Sequence, residues 1–191
     1  MAKRAANVRG TRQRIVEATV HLHETLGLAA TTVAGVAEAA GVSRLTVYRH
    51  FPDTDALFEA CSAHWAAGQV LPDPHAWAAI GSPEERLRAG LTDLYRFYRD
   101  GHAMLVRVYA DKEHLPQRVR EQLSGAEGQQ VESLLGAFPY KARGPLLRAA
   151  ISHAASFWTW HSLCAERGLR NQDAVELMTR LAMSLVRPQG S

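Results

Sequence analysis

Thr32-Val33-Ala34-Gly35-Val36-Ala37-Glu38-Ala39-Ala40-Gly41-Val42-Ser43 runs directly into Arg44-Leu45-Thr46-Val47-Tyr48-Arg49-His50-Phe51. In the first half, Val33, Val36, Ala37 and Ala40 recur at helical steps and share one face. Thr31 and Thr32 offer hydroxyls to cap that helix, and Gly41 stops it. Ser43 caps a second short segment, 44–50, with Val47 and Phe51 on its inner side together with Val42. Two short helices joined by a glycine-containing turn have the geometry of a helix-turn-helix. Ala37 is small enough for the two to cross closely. The second helix of such a pair fits the major groove, with its N-terminal residues facing base edges. Arg44, Leu45, Thr46, Tyr48, Arg49 and His50 then point outward, a mixture of guanidinium, hydroxyl and imidazole that can meet phosphates and bases. An ordinary helical hairpin with a solvated polar face fits the same pattern.

The charge distribution leans the same way. Residues 1–51 hold seven basic residues (Lys3, Arg4, Arg9, Arg12, Arg14, Arg44, Arg49) against Glu17, Glu24 and Glu38, a balance of +4. The remaining chain has 15 basic and 16 acidic residues, a balance of −1, which accounts for the net +3. A basic end attracts polyanions, because neutralising phosphates is the main source of non-specific nucleic-acid affinity.

Outward from this stretch the chain reads as helices. The first spans roughly 11–26, with Ile15, Ala18, Leu22 and Leu26 on one face and Gly27 ending it. Pro52 interrupts, Asp53 caps a fourth helix, and Leu57, Cys61 and Trp65 recur along it. Residues 66–81, punctuated by Pro72 and Pro74, read as a loop. Ser82-Pro83-Glu84-Glu85 is a start signal, followed by Leu87, Leu91, Leu94, Tyr95 and Tyr98 on one face. A short helix is expected around 102–111, another from Pro116 to about Leu135, and a long one from Pro145 to about Arg167, closed by Gly168. Asn171 is expected to cap the last helix, which turns Val175, Met178, Leu181 or Ala182, and Leu185 inward and ends at Pro188. No segment alternates over strand length. The fold class is all-α, about nine helices in all.

At 191 residues, 47% hydrophobic and 21% charged, the chain can bury a core without metal or disulfide staples. No apolar run spans a bilayer, and the basic N-terminus lacks the apolar stretch of a secretory signal. Cys61 and Cys164 alone make neither a disulfide framework nor a zinc set, which fits the reducing cytoplasm.

The stretch 12–58 resembles the DNA-binding domain of TetR-family transcriptional regulators. The resemblance rests on Ile15, Ala18, Gly27, Thr31-Thr32-Val33, Val36-Ala37, Ala39 to Ser43, Thr46-Val47-Tyr48, His50-Phe51 and Ala56-Leu57. Beyond it, the chain is similar to the family in architecture only. The resemblance implies a division into a helix-turn-helix domain with a basic N-terminal arm (1–55) and a helical regulatory and dimerisation domain (56–191). It implies DNA contacts at Thr32, Ser43, Arg44, Leu45, Thr46, Tyr48, Arg49, His50 and Thr54. Thr32, Tyr48 and His50 would face the backbone, while Arg44, Leu45 and Thr46 would read bases. Leu45 stands where the family often has glycine. Thr54 stands where it usually has a lysine, so one ionic contact is lost, for which Arg4, Arg9 and Arg12 on the arm would compensate.

The resemblance further implies a homodimer on a pseudo-palindromic operator, with Leu146, Ala150, Ala154, Leu177, Leu181 and Leu185 at the interface; these also fit an ordinary core. It implies a small, largely apolar or aromatic effector that releases a repressor from its operator. Trp65, Tyr95, Tyr98, Met104, Tyr109, Phe157, Trp160 and His161 are the candidate lining, although such aromatics also commonly fill a core.

No enzyme is expected. There is no phosphate-cradling glycine loop and no GxSxG elbow, and His23-Glu24 is followed by Thr25-Leu26-Gly27, so a second zinc-binding histidine is missing. No cofactor and no metal site are expected, and neither is membrane association. The rival reading is a small-molecule-binding helical carrier or adaptor that has lost specific DNA binding, for which Thr54 is the support.

Overall fold

Alanine and arginine dominate the N-terminal residues, and nothing there breaks a helix more strongly than Gly10, which costs about 1 kcal/mol. The helix expected from Thr11 therefore starts at Ala2, and the region expected as an arm is its continuation. The computed structural model describes residues 2–186, with side chains from Ala6 onward; the side chain of the expected arm residue Arg4 and the expected stop at Pro188 lie outside what is described.

Among the described residues eleven α-helices follow one another and there is no strand. They are α1 (Ala2–Leu26), α2 (Val33–Ala39), α3 (Arg44–His50), α4 (Thr54–Ala67), α5 (Pro74–Ala78), α6 (Pro83–Asp100), α7 (His102–Ala110), α8 (Gln117–Leu135), α9 (Pro145–Ala155), α10 (Phe157–Trp160) and α11 (Asn171–Met183). A π-helical turn, His161–Glu166, follows α10. The chain forms two compact units: residues up to Val70 with Gly101–Arg120, and Leu71–Asp100 with the chain from Glu121 on.

In the first unit α1, α2, α3 and α4 enclose Ile15, Val16, Val36, Ala37, Val47, Phe51, Leu57 and Cys61. Gly27 ends α1 at φ +93°, in the left-handed region that favours glycine. The loop that follows is tied to α7 and the residue after it. Arg107 Nη2 donates to the Thr25 carbonyl at 3.4 Å, and the Ala29 N–H donates to Asp111 Oδ2 at 3.1 Å.

The second unit is built on α6, whose Leu87, Leu91, Leu94, Tyr95 and Tyr98 are all buried, as their spacing predicts. α6 packs on α11, where Ala174, Val175, Met178 and Ala182 face in. The choice between Leu181 and Ala182 goes to Ala182; Leu181 and Leu185 are exposed, which corrects the inward placement of Leu185. Arg86 is buried and donates to the carbonyls of Ala78, Ile80 and Ser133 at 2.8, 2.6 and 3.0 Å, so it is clamped by backbone rather than by a carboxylate.

Three expectations need correction here. The loop 66–81 contains α5, because Asp73 accepts from the N–H groups of His75 and Ala76 and Trp77 buries itself with its indole N–H on Asp93. The long helix expected over 145–167 is interrupted at Ser156, which is extended (ψ 139°) and caps α10 through its hydroxyl. The break leaves the Ala154 and Ala155 carbonyls without helical partners, and the hydroxyls of Tyr95 and Tyr98 donate to them at 2.8 and 2.7 Å. Asn171 is not a cap but the first residue of α11; it donates to the Tyr95 carbonyl at 3.0 Å and accepts from the Trp160 indole at 3.0 Å.

Candidate nucleic-acid interface

Local chemistry sets the α2–α3 geometry. Thr32 Oγ1 accepts from the Gly35 N–H at 3.1 Å, so the hydroxyl caps α2. Gly41 sits at φ +64°, and this left-handed residue lets the chain turn so that the Val42 N–H reaches the Ala37 carbonyl at 2.9 Å. Ser43 Oγ then caps α3, accepting from the Thr46 N–H at 3.1 Å, and lies 2.9 Å from Thr46 Oγ1. The expected caps at Thr32, Ser43 and Asp53 are all present.

Burial orients α3. Val47 and Phe51 are buried in the first unit's core, and the opposite face is left outward. Leu45 is 77% exposed, Tyr48 is 52% exposed, and Arg44 and Arg49 are exposed beside them. Thr46 and His50 are half-buried, Thr46 through its cap partner Ser43. Thr32 and Thr54, at the first turns of α2 and α4, are exposed as well. An arginine-bearing helix with a free N-terminal half can enter a major groove and bring its first residues to base edges.

Two electrostatic details belong to this face. The Arg12 guanidinium lies over the Phe51 ring, 4.7 Å from its centroid, a cation–π contact that holds the base of α3 against α1. It is thus a fixed cation beside α3 rather than part of an arm. His50 is held below the ordinary histidine range by burial, then by the positive charges of Arg49 and Arg12. It offers a neutral imidazole at neutral pH, one that an approaching phosphate would help to protonate.

Of the residues expected to line an effector site, Tyr95, Tyr98, Met104, Phe157 and Trp160 are buried and Trp65, Tyr109 and His161 are half-buried. Trp65, Met104 and Tyr109 belong to the first unit; Tyr95, Tyr98, Phe157, Trp160 and His161 belong to the second. In the second unit the rings of Tyr95, Tyr98, Phe157 and Trp160 are buried in the core, with His161 half-buried beside them. Tyr98 and Phe157 meet edge-on at 5.5 Å, Phe157 and Trp160 lie 5.7 Å apart, and the tyrosine hydroxyls and the indole N–H are committed to hydrogen bonds. The reason is the helix break at Ser156, whose orphaned carbonyls draw the tyrosines inward. None of the eight residues lines the cleft in the first unit beside Thr19, His23 and Leu57. Sequence reading missed that cleft because its walls come from segments far apart in the chain.

Of the residues expected at a dimer interface, Leu146, Leu177, Leu181 and Leu185 are exposed and Ala150 is half-buried, all on α9, α11 and the residues just after it. Ala154 is wholly buried inside its own unit, where its carbonyl takes the Tyr95 hydroxyl, so it offers no surface to a second chain. No helix among the described residues is long and apolar enough to cross a membrane.

The family profile of bacterial regulatory proteins of the tetR family matches residues 15–61. The HTH-type transcriptional regulator BetI of Burkholderia thailandensis is 37% identical over 83 residues, which is 41% of this chain and 40% of that protein's length. A TetR-like transcriptional regulator from a Rhodococcus species superposes with a TM-score of 0.65 at 21% identity, over 91% of this chain and 93% of that one. A TetR-family transcription regulator from Marinobacter aquaeolei superposes at 0.58 and 19% identity, over 97% and 98%. At those identities the structural likeness establishes the fold.

Proposed function

We propose that the chain, whose residues 15–61 match the family model of bacterial regulatory proteins of the tetR family, is a cytoplasmic, homodimeric, DNA-binding transcriptional repressor that a small effector releases from its operator. Its work is binding rather than catalysis. The observation that carries the reading is α3: its buried side is locked by Val47 and Phe51, and Arg44, Leu45, Tyr48 and Arg49 stand free on the other. In this reading Arg44, Leu45 and Thr46 read bases, and Thr32, Ser43, Tyr48, Arg49, His50 and Thr54 meet the backbone. The helix-turn-helix domain 1–55 carries them, and the remainder, 56–191, assembles and regulates.

Dimerisation follows from the size of the reader. A helix of seven residues reaches too few base pairs, so two copies on a pseudo-palindrome supply affinity and specificity. The exposed leucines of α9 and of the segment 171–185, with Leu146 at 74% and Leu181 at 53% exposure, support that region as the mutual surface.

Fluorescence anisotropy with fragments of the DNA upstream of its own gene, across a salt series, tests the reading. Tight, salt-sensitive binding to one fragment over random DNA is the expected result. Equal, weak binding to all fragments would leave only a charge effect, and the carrier reading would take its place.

A further inference from the structure

A cleft of about 310 Å³ opens in the first unit, walled by α1, the α1–α2 loop, α2, the start of α4 and the turn at His114–Pro116. That volume falls at the lower end of small-molecule sites, about 300–1,000 Å³. Leu28, Val36, Leu57, Phe58 and Leu115 supply its apolar lining. Thr19, His23, Thr31, Thr32, Thr54, Asp55 and His114 supply the polar part of the wall. Thr19 donates its hydroxyl proton to the Ile15 carbonyl at 2.8 Å, so its oxygen is left as an acceptor. His23 stands 5.6 Å from the Phe58 ring, with Nδ1 3.6 Å from the Cys61 sulfur. Burial holds His23 below the ordinary histidine range and pushes the Cys61 thiol up to about 12, so both are uncharged at neutral pH. Among the described lining residues Asp55 is the one carboxylate, His114 is the second histidine, and neither lysine nor arginine contributes.

Two further members of the lining decide what occupancy would do. Thr32 and Thr54 border this cleft, and they are the two backbone-contact positions at the first turns of α2 and α4. A molecule seated there shares hydroxyls with an incoming phosphate.

We propose that this cleft is a ligand site within the DNA-binding unit, taking a small uncharged or singly cationic amphiphile, and that the bound molecule excludes DNA phosphate from Thr32 and Thr54. The first half stands on the cleft itself; the second rests on the DNA-binding reading above. The apolar wall takes the body of the ligand, and Thr19 and His23 take a hydrogen-bonding head. Asp55 puts a carboxylate on a wall that holds no lysine or arginine, which disfavours an anion and tolerates an amine. Because the two ligands compete, DNA must weaken the amphiphile by the same factor as the amphiphile weakens DNA.

The test uses the full chain and two dyes with one skeleton. N-phenyl-1-naphthylamine is uncharged, and 8-anilino-1-naphthalenesulfonate adds an anionic sulfonate. The expected result is a saturable fluorescence rise with the amine and affinity for the sulfonate lower by at least about tenfold. Leu28→Trp, which fills the cleft from the loop, weakens the amine by at least about tenfold with helix content retained. Asp55→Lys changes an exposed residue, leaves folding intact and admits the sulfonate. Amine affinity unchanged in Leu28→Trp together with sulfonate still rejected in Asp55→Lys overturns the site. In the second arm, the amine raises the apparent DNA dissociation constant of the unmodified protein and not of Leu28→Trp. Amine bound in the cleft with DNA affinity unchanged overturns the exclusion. Absence of DNA binding without any dye refutes the regulator reading and the exclusion with it, while the dye titration still decides the site.

Discussion

Removing one oxygen atom separates the core of the second unit from the proposed DNA face. Tyr98 is 2% exposed, and its hydroxyl is the partner of the Ala155 carbonyl at the break between α9 and α10. Tyr98→Phe keeps the ring and its contacts with Phe157 and Trp160, so little packing is lost. What it leaves is a buried helix-end carbonyl with no donor, a desolvation cost of about 1–3 kcal/mol. For a chain of this size that lowers the thermal midpoint by roughly 2–4 °C per kcal/mol. Tyr48→Phe is the counterpart: its hydroxyl is on the outward face of α3, and such surface changes stay within about 0.5 kcal/mol. Melting both variants by far-UV circular dichroism, and titrating both with operator DNA, should give opposite patterns. Tyr98→Phe melts earlier and binds DNA normally when folded; Tyr48→Phe melts normally and binds DNA more weakly. If the two melt together within error, the hydroxyl–carbonyl account of the α9–α10 break is wrong.

Other outcomes follow from the same geometry. Arg44→Ala should weaken operator binding by about 1–3 kcal/mol and relax specificity at one base pair, read by anisotropy with substituted operators. Thr54→Lys should tighten DNA binding and steepen the slope of log K against log salt by about 0.9, since it makes that phosphate contact ionic. Stability should fall as pH drops below about 6.5: burial lowers the folded-state pKa of His23, so the unfolded chain takes up its proton first. Denaturant midpoints between pH 7.5 and 5 check this, and in His23→Gln that slope should flatten, to the extent that His50 does not share it. Leu181→Glu places a charge on an exposed leucine and should turn the proposed dimer into monomer by sedimentation without lowering helix content; an unchanged sedimentation coefficient would move the interface elsewhere.

Much of the fold is legible from local rules. Hydroxyl and carboxylate caps at Thr32, Ser43 and Asp53, the left-handed glycines at 27 and 41, and the apolar stripe of α6 each depend on residues a few positions apart. Capping, φ preference and helical periodicity are short-range, so the sequence states them directly. The same is true of α3, whose inward Val47 and outward Arg44 and Tyr48 follow from period alone. Where local rules misread the chain, a distant partner had overridden them. Residues 145–167 have the periodicity of one long helix, but the hydroxyls of Tyr95 and Tyr98 satisfy the carbonyls that a break at Ser156 exposes. Asn171 has the chemistry of a cap and instead joins Tyr95 to Trp160. Of the aromatics around them, which the sequence leaves open between a ligand lining and a core, Tyr98, Phe157 and Trp160 are buried.

By itself, then, the sequence determined an all-helical chain, a helix-turn-helix near its start, and which side chains of the second helix face outward. Those follow from hydrogen bonds and spacings within one or two helical turns. Only the tertiary structure decided which aromatic residues are buried, that Arg12 is held on Phe51, and that the first unit contains a cleft next to Thr32 and Thr54. Each of these depends on side chains brought together from far along the chain, and the free energy of such packing is a property of the assembled surfaces rather than of any segment alone.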